Sequence, residues 1–407
     1  MGCCGLKRKQ LNATGDDRNK CKQLIEEISS RKDTNLQSFK EKMKKLTNGN
    51  TPTQKALLIF SWICYNLDYD SESENSSPEV VFQNRKAKCS GFAHLFQDIS
   101  SFLDLKVECI KCYSKGFGYE PGMQLTQVNH EYNFIKIEED WYPIDTTWGM
   151  GHFEGNEFIK SYNDFYFLTD PERLIKTHFP ESKEWQLTNR TYSLKQFLRW
   201  PQINYYFYKY GFSKFSEEEG YIELSKNKYT FKVYRDNMEN IIGRCSIFLL
   251  EGNNYIEKKN LNKINYYKDR FEIDCIFNKK GKYKIAIYVN DDGSDTTNVI
   301  LKYIVNVKKD TREELYYPLY YKDSKKINEI KPLYNNLKYG EKVKFKIKAD
   351  FPQLIIIDNE KWINFEKNNG IFEKEIQIQT QPGQGLLICN KINSSNCEDL
   401  VSYTIYK

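Results

Sequence analysis

The sequence predicts an α+β domain followed by two all-β sandwiches. Three observations carry this reading. Helical periodicities run to about residue 103, and two adjacent alternating segments follow between residues 128 and 149. Past about residue 205 the texture changes to short alternating strands separated by Asn and Gly turns. The chain is 407 residues long and rich in Tyr, Phe, Asn and Lys, enough for two or three cored domains and weighted towards strands and polar turns. The expected divisions are a disordered tail over residues 1–20, a helical segment over 21–50, the α+β domain over 51–204, and sandwiches over 205–310 and 311–407.

The first nine residues, Met1-Gly2-Cys3-Cys4-Gly5-Leu6-Lys7-Arg8-Lys9, have the composition of a lipid anchor. Gly2 is placed for myristoylation, Cys3 and Cys4 for palmitoylation, and the three basic residues for acidic headgroups. Leu6 departs from this pattern, which wants Ser or Thr there. One acyl chain holds a protein marginally, and a second chain or a basic patch makes attachment stable. The expectation is a cytoplasmic protein held peripherally on a membrane surface. No run of about eighteen apolar residues occurs, so no spanning segment is expected.

Residues 20–48 read as one or two helices, with Leu36, Phe39, Met43 and Leu46 as a docking stripe. Thr51-Pro52 is a capped helix start, and the helix after it buries Ala56, Ile59, Phe60, Ile63 and Leu67. DYDSESENSSPE, Asp68 to Glu79, is an acidic, serine-rich loop. As a calcium site it lacks EF-hand spacing, so it reads as solvated surface, and no metal or cofactor is assigned. Ser77-Pro78 then opens a short helix leading to Cys89.

KAKCSGFAHLFQDISSF, Lys86 to Phe102, is the central stretch. Phe92, Leu95, Phe96, Ile99, Phe102 and Leu103 recur by three and four, so one helical stripe is buried. Ser90 and Gly91 suit the turn that opens this helix, which sets Cys89 over unpaired backbone N–H groups. The helix dipole and Lys88 there favour thiolate. A small buried thiol has the same local pattern, so the nucleophile reading needs partners.

The partners come from the next two alternating segments. VNHEYNFIKI, Val128 to Ile137, reads as a strand with Val128, His130, Tyr132 and Phe134 on one face. WYPIDTTWG, Trp141 to Gly149, reads as its hairpin mate, with Trp141, Pro143 and Asp145 on a common face. A thiol, an imidazole and a carboxylate presented together are what covalent acyl transfer needs: Cys89 to attack, His130 to exchange the proton, Asp145 to hold the ring. Val107–Tyr113 is a further strand, and the glycine-rich loop Ser114–Val128 reads as one wall of the cleft. The backbone N–H at Cys89 is the natural oxyanion donor, with Trp62 and Gln83 as candidates for the second. His94 and His152 are not assigned as the base.

These residues resemble the transglutaminase-like cysteine enzymes. The pattern stands here as Cys89-Ser90-Gly91-Phe92-Ala93, His130-Glu131-Tyr132-Asn133 and Trp141-Tyr142-Pro143-Ile144-Asp145-Thr146-Thr147-Trp148. The likeness is nearest to the kyphoscoliosis peptidase subfamily and extends through Tyr162–Leu187, covering roughly residues 50 to 200. Tyr132 stands where tryptophan is usual, and Ala87 where a glycine often precedes the cysteine by two. The resemblance implies a papain-like cysteine-enzyme core, protein substrates, a thioester intermediate and immunoglobulin-like modules after the catalytic domain. It favours a peptidase. A protein-glutamine transglutaminase uses the same covalent step, and a scaffold bound to membrane or cytoskeletal partners is the alternative outside enzymology. An arylamine acyltransferase fits less well, since nothing resembles a coenzyme A site.

Composition narrows the classes. The net charge of +6 is small for this length, and the basic residues are scattered, which excludes a nucleic-acid footprint. The eleven cysteines are odd in number and irregular in spacing, as reduced thiols are. Cys109-x-x-Cys112 lacks two further zinc ligands nearby in sequence, and Cys245 with Cys275 could bridge a sandwich only in an oxidising compartment. In the β region, Lys342–Ile347 parallels Lys228–Val233, and Gly370–Ile378 parallels Gly281–Tyr288, the pattern of two sandwiches joined near Lys308–Glu314.

Overall fold

The computed structural model describes residues 11, 13–29, 35–291 and 296–407. Gly2, Cys3 and Cys4 lie outside the described residues, and so does the anchor expected of them. The chain forms two compact units. One holds the described residues up to Tyr119 with Met123–Leu198, and the other holds Glu120–Gly122 with Arg199–Lys407.

The first unit starts earlier than its sequence suggested. Helix α1 (Gly15–Ser29) begins inside the stretch read as tail, because Thr14 and Asp17 close a reciprocal cap: Asp17 N–H donates to Thr14 Oγ1 at 3.1 Å, and Thr14 N–H to Asp17 Oδ2 at 2.9 Å. Helix α2 (Leu36–Leu46) follows, capped by Asn35, and buries Leu36, Phe39 and Met43. Helix α3 (Pro52–Asn66) opens on a full capping box between Thr51 and Gln54. It is the buried pillar of the domain, with Ala56 through Cys64 all inside.

After α3 the chain makes β1 (Asp68–Tyr69), α4 (Pro78–Asn84) and β2 (Lys86–Ala87) before helix α5 (Cys89–Phe102). Strands β1 and β2 pair in parallel, Tyr69 beside Ala87, which pins the acidic loop's start next to the helix mouth. In α5, Phe92, Leu95, Phe96 and Ile99 are fully buried, each contributing ~1.5–3 kcal/mol by leaving water. Gly91 lets the helix start sit against β2 and α4: a Cβ there would lie 2.7 Å from Ala87 Cβ and 2.9 Å from Val81 Cγ2.

The sheet beneath α5 runs β5–β4–β3–β8, all antiparallel, from β3 (Lys106–Ser114), β4 (His130–Ile137), β5 (Asp140–Ile144) and, farther along the chain, β8 (His178–Pro180). Between β5 and β8 lie α6 (Thr146–Met150), β6 (Gly151–Glu154), β7 (Glu157–Lys160) and α7 (Pro171–Leu174). The hairpin exists, but its second arm is shorter than Trp141–Gly149. Strand β5 ends at Ile144 and α6 begins at Thr146, so Asp145 is a helix N-cap and not a strand residue facing with Trp141 and Pro143. Two threonines and a tryptophan after an Asx cap favour that turn over further alternation.

The second unit is two β-sandwiches, each with its own core. In the first, a four-stranded sheet containing Lys228–Arg235 and Arg270–Ile276 faces a sheet built on Ile241–Glu251, Gly281–Asp291 and Asn298–Val307. In the second, Lys342–Ala349 and Ile371–Gln377 share a sheet, and Leu354–Asp358, Gly385–Lys391 and Cys397–Tyr406 share the other. The parallel between Lys228–Val233 and Lys342–Ile347 is structural, since each is second in its four-stranded sheet. The other is out by one strand. Ile371–Gln377 pairs with Lys342–Ala349 as Arg270–Ile276 pairs with Lys228–Arg235, so Gly281–Asp291 corresponds to Gly385–Lys391. A glycine followed by an alternating strand recurs at several hairpins, and alternation alone does not say which sheet it joins.

Gly91→Ala tests the close approach at the head of α5. Helix propensity alone favours alanine by ~1 kcal/mol, whereas crowding against Ala87 and Val81 predicts a loss of about 1–3 kcal/mol. The urea midpoint is expected to fall with an unchanged slope. A midpoint that rises would mean the helix start has room to move.

Candidate active site

His130 opens β4, where it pairs with Cys112 of β3, and Cys112 pairs in turn with Pro180 of β8. His178 lies two residues before Pro180, on the same face, so the sheet register brings two histidines to one end. Their rings are 5.3 Å apart between centroids. Asp145 stands between them and is buried. Its Oδ2 accepts from His130 Nε2 at 2.6 Å and from His178 Nε2 at 3.0 Å. Its Oδ1 accepts from the Trp148 N–H at 2.9 Å, the cap of α6. One carboxylate therefore ends a helix and fixes two imidazoles.

With Nε2 committed to Asp145, the nitrogen of His130 left for Cys89 is Nδ1. The His130 side chain with its charge, and the Glu131 backbone N–H, act on the Cys89 sulfur in the direction that favours thiolate. Burial alone would raise the Cys89 pKa, but His130 and its charge outweigh it, and the thiol lies below its ordinary value. Burial opposes charge on His130 as well. The Asp145 carboxylate and its bond, with Cys89 adding, push the ring up to about 10. Asp145 is held well below the usual carboxylate range, where His130 and His178 overcome its burial. Together these directions favour the charged form of each group. By contrast, burial pushes the thiols of Cys21, Cys64, Cys109 and Cys112 up.

His178 went unassigned in the sequence. Burial lowers its pKa, so it is a neutral ring that donates from Nε2; Nδ1 then accepts from Thr177 Oγ1 at 2.8 Å. Tyr132, Trp148 and Tyr166 box it in, with Trp148 nearest at 4.5 Å between centroids. Its signal is slight: one histidine in Thr-His-Phe-Pro, within the extension that resembles the kyphoscoliosis subfamily. His130, Asp145 and His178 have ligand atoms close enough to hold a metal ion. The direct bonds at 2.6 and 3.0 Å to a single oxygen are those of a hydrogen-bonded relay.

Two elements fix the thiol relative to the ring. The Asn133 amide of β4 donates to the Ala93 carbonyl of α5 at 3.0 Å, tying strand to helix one turn past Cys89. At the helix mouth Lys88 offers no capping side chain, so the first-turn N–H groups at Cys89 and Ser90 face the site uncapped. The glycine-rich loop approaches through Gly116, whose Cβ position is 3.4 Å from the Trp148 ring. The two residues weighed as second oxyanion donors differ in their surroundings. Trp62 is buried in a stack with Phe39 and Phe82, covered by Arg85, and Gln83 is exposed on α4.

Comparison with known proteins gives two family matches. Residues 40–146 match the transglutaminase-like superfamily, and residues 194–318 match the KY-like, immunoglobulin-like domain. Kyphoscoliosis peptidase of Homo sapiens is 27% identical over 267 residues, covering 63% of this chain and 39% of that protein. Hillarin of Drosophila melanogaster is 28% identical over 189 residues, covering 42% of this chain and 23% of that protein. The Lim and transglutaminase domain protein ltd-1 of Caenorhabditis elegans is 29% identical over 194 residues, covering 43% and 27%. The match thus spans about two fifths or less of these relatives' lengths.

The electrostatics predict a selective thiol. At neutral pH iodoacetamide is expected to label Cys89 about ten-fold or more faster than Cys21 or Cys109, read by peptide mass spectrometry over time. In His130→Ala that advantage should vanish. Equal labelling of all three thiols in the wild-type protein would remove the thiolate.

Proposed function

We propose that this chain, a member of the transglutaminase-like superfamily with its likeness running to the kyphoscoliosis peptidase group, is a cysteine acyl-transfer enzyme that hydrolyses protein substrates. The observation that supports it best is the buried His130–Asp145 bond at 2.6 Å, with His130 in turn holding the Cys89 thiol below its ordinary value. In the first half-reaction the Cys89 thiolate adds to an amide carbonyl. The oxyanion turns towards the uncapped N–H groups at the start of α5, which a helix N-terminus favours. His130 gives its proton to the departing amine, and the C–N bond breaks to leave a thioester. In the second half a water attacks the thioester, His130 takes its proton, and the acid departs as the thiolate is restored. Asp145 keeps His130 in the tautomer that presents Nδ1, and His178 positions Asp145.

Taking a lysine amine in place of water in the second half would make the same site a transglutaminase. Tyr132, fully buried beside His178, belongs to the part of the site where that choice is made. Attachment to a membrane through Gly2, Cys3 and Cys4 is part of the same proposal. Among the described residues no helix is long and apolar enough to cross a membrane.

Cys89→Ala against wild type, assayed in parallel for peptide hydrolysis and for amine incorporation, decides between the outcomes. Hydrolysis is expected to fall to background, and His130→Ala should lose roughly 10²–10⁴ in rate. Incorporation exceeding hydrolysis would make the enzyme a transglutaminase. Equal activity in wild type and Cys89→Ala would leave a binding scaffold. For the anchor, Gly2→Ala is expected to move the protein out of the membrane fraction in cells, and unchanged partitioning would end that part of the proposal.

A further inference from the structure

On the side of β4 opposite His130, three side chains from three elements converge. His94 comes from α5, Cys109 from β3 and Glu131 from β4. His94 Nε2 is 3.4 Å from Glu131 Oε2, and Cys109 Sγ is 3.8 Å from the same oxygen. All three ligand atoms lie within 4.8 Å of one another, and all three residues are half-buried. Four-coordinate zinc, with bonds of about 2.0–2.1 Å to nitrogen, 2.0–2.2 Å to oxygen and 2.3 Å to sulfur, sets its ligand atoms about 3.3–3.6 Å apart. The His94–Glu131 separation of 3.4 Å sits at that spacing, the Cys109–Glu131 separation of 3.8 Å just outside it, and the remaining pair lies within 4.8 Å.

The histidine is also oriented as a ligand would be. His94 Nδ1 is 3.3 Å from the Ser76 carbonyl oxygen, which only accepts, so Nδ1 carries the hydrogen. Nε2 is then the nitrogen turned to the Glu131 carboxylate oxygen, where a cation between the two would sit. A backbone carbonyl behind the ring is the usual second partner of a metal-binding imidazole. A surface hollow of about 440 Å³, lined in part by Ser76, Ser77, His94 and Asp98, opens beside the ring.

We propose that His94, Cys109 and Glu131 form a zinc site with three protein ligands and a fourth position open to water. Imidazole, thiolate and carboxylate together suit zinc over calcium or magnesium. Binding replaces the Cys109 S–H bond with S–Zn and releases that proton to solvent. Lys111 lies near Cys109 and is the competing cation. Glu131 follows His130 in β4, so the site adjoins the proposed base, yet it does not depend on the acyl-transfer reading.

The test is a titration of the full, reduced, metal-free protein with Co²⁺, followed by displacement with Zn²⁺. One equivalent is expected, with a thiolate-to-cobalt charge-transfer band and visible bands of tetrahedral cobalt. Cys109→Ser should abolish the charge-transfer band. His94→Ala and Glu131→Gln should each weaken zinc binding at least about ten-fold, with thermal melts reporting that the variants fold. Cys89→Ala and Cys389→Ser, the latter from a separate cluster with Cys397 and Asp399, should bind as wild type does. No saturable binding would overturn the proposal and leave His94 and Glu131 as an ion pair. A band that survives Cys109→Ser, or one lost in Cys89→Ala or Cys389→Ser, would place the metal on another thiol and overturn it equally.

Discussion

The buried carboxylate of Asp145 is the constraint on which the candidate site of the first unit rests. Stripped of partners, a carboxylate in that position would cost several kcal/mol, and breaking one such buried pairing typically costs ~3–5 kcal/mol. It is satisfied from three directions, by a helix N–H and by two imidazoles. Each bond fixes a different element: α6 begins where it does, β4 ends where it does, and β8 must reach the sheet to deliver His178. The segment between β5 and β8 is therefore part of the site.

The same carboxylate sets the ionisation of the site. Its charge outweighs the burial that would keep His130 neutral, and the charged ring in turn holds the Cys89 thiol down. Stability follows the linkage sign. For His130, a folded pKa above the unfolded one is a contribution fully present below about pH 6.5 and lost as pH rises through about 10. For Asp145, a depressed pKa is a contribution present above the ordinary carboxylate pKa and lost as the pH falls through the folded value. The site is thus held together across the neutral range in which the thiolate is needed.

Much of this was readable from residues alone, and the misses have physical causes. The apolar stripe of α5 and the alternation of β4 are local periodicities, and both elements stand where their patterns put them. Asp145 was identified as the ring's partner but misplaced, because the alternation of Trp141 and Pro143 continues on paper through a residue that turns the backbone instead. His178 was invisible for a different reason. Its role comes from the pairing of β3 with β8, which lie more than sixty residues apart in the chain, and no local pattern encodes that register. The cluster of His94, Cys109 and Glu131 was missed likewise, since a search for metal ligands by sequence spacing pairs Cys109 with Cys112. Those two point to opposite sides of β3 and are separated by burial, Cys112 inside and Cys109 half-exposed.

What remains is how a nucleophile on a helix is kept in register with a base on a strand, when an error of about 1 Å would cost about 10² in rate. Two contacts do this, and neither involves a catalytic group. The bond from Asn133 to the Ala93 carbonyl sets the height of α5 along β4, and its burial makes it costly to lose. The bare backbone of Gly91 sets the depth, letting the helix start press against Ala87 and Val81. Asn133 Oδ1 has no partner among the described residues, so the amide is held for its donor alone. A group kept buried at that cost is better explained by the position it enforces than by the stability it adds.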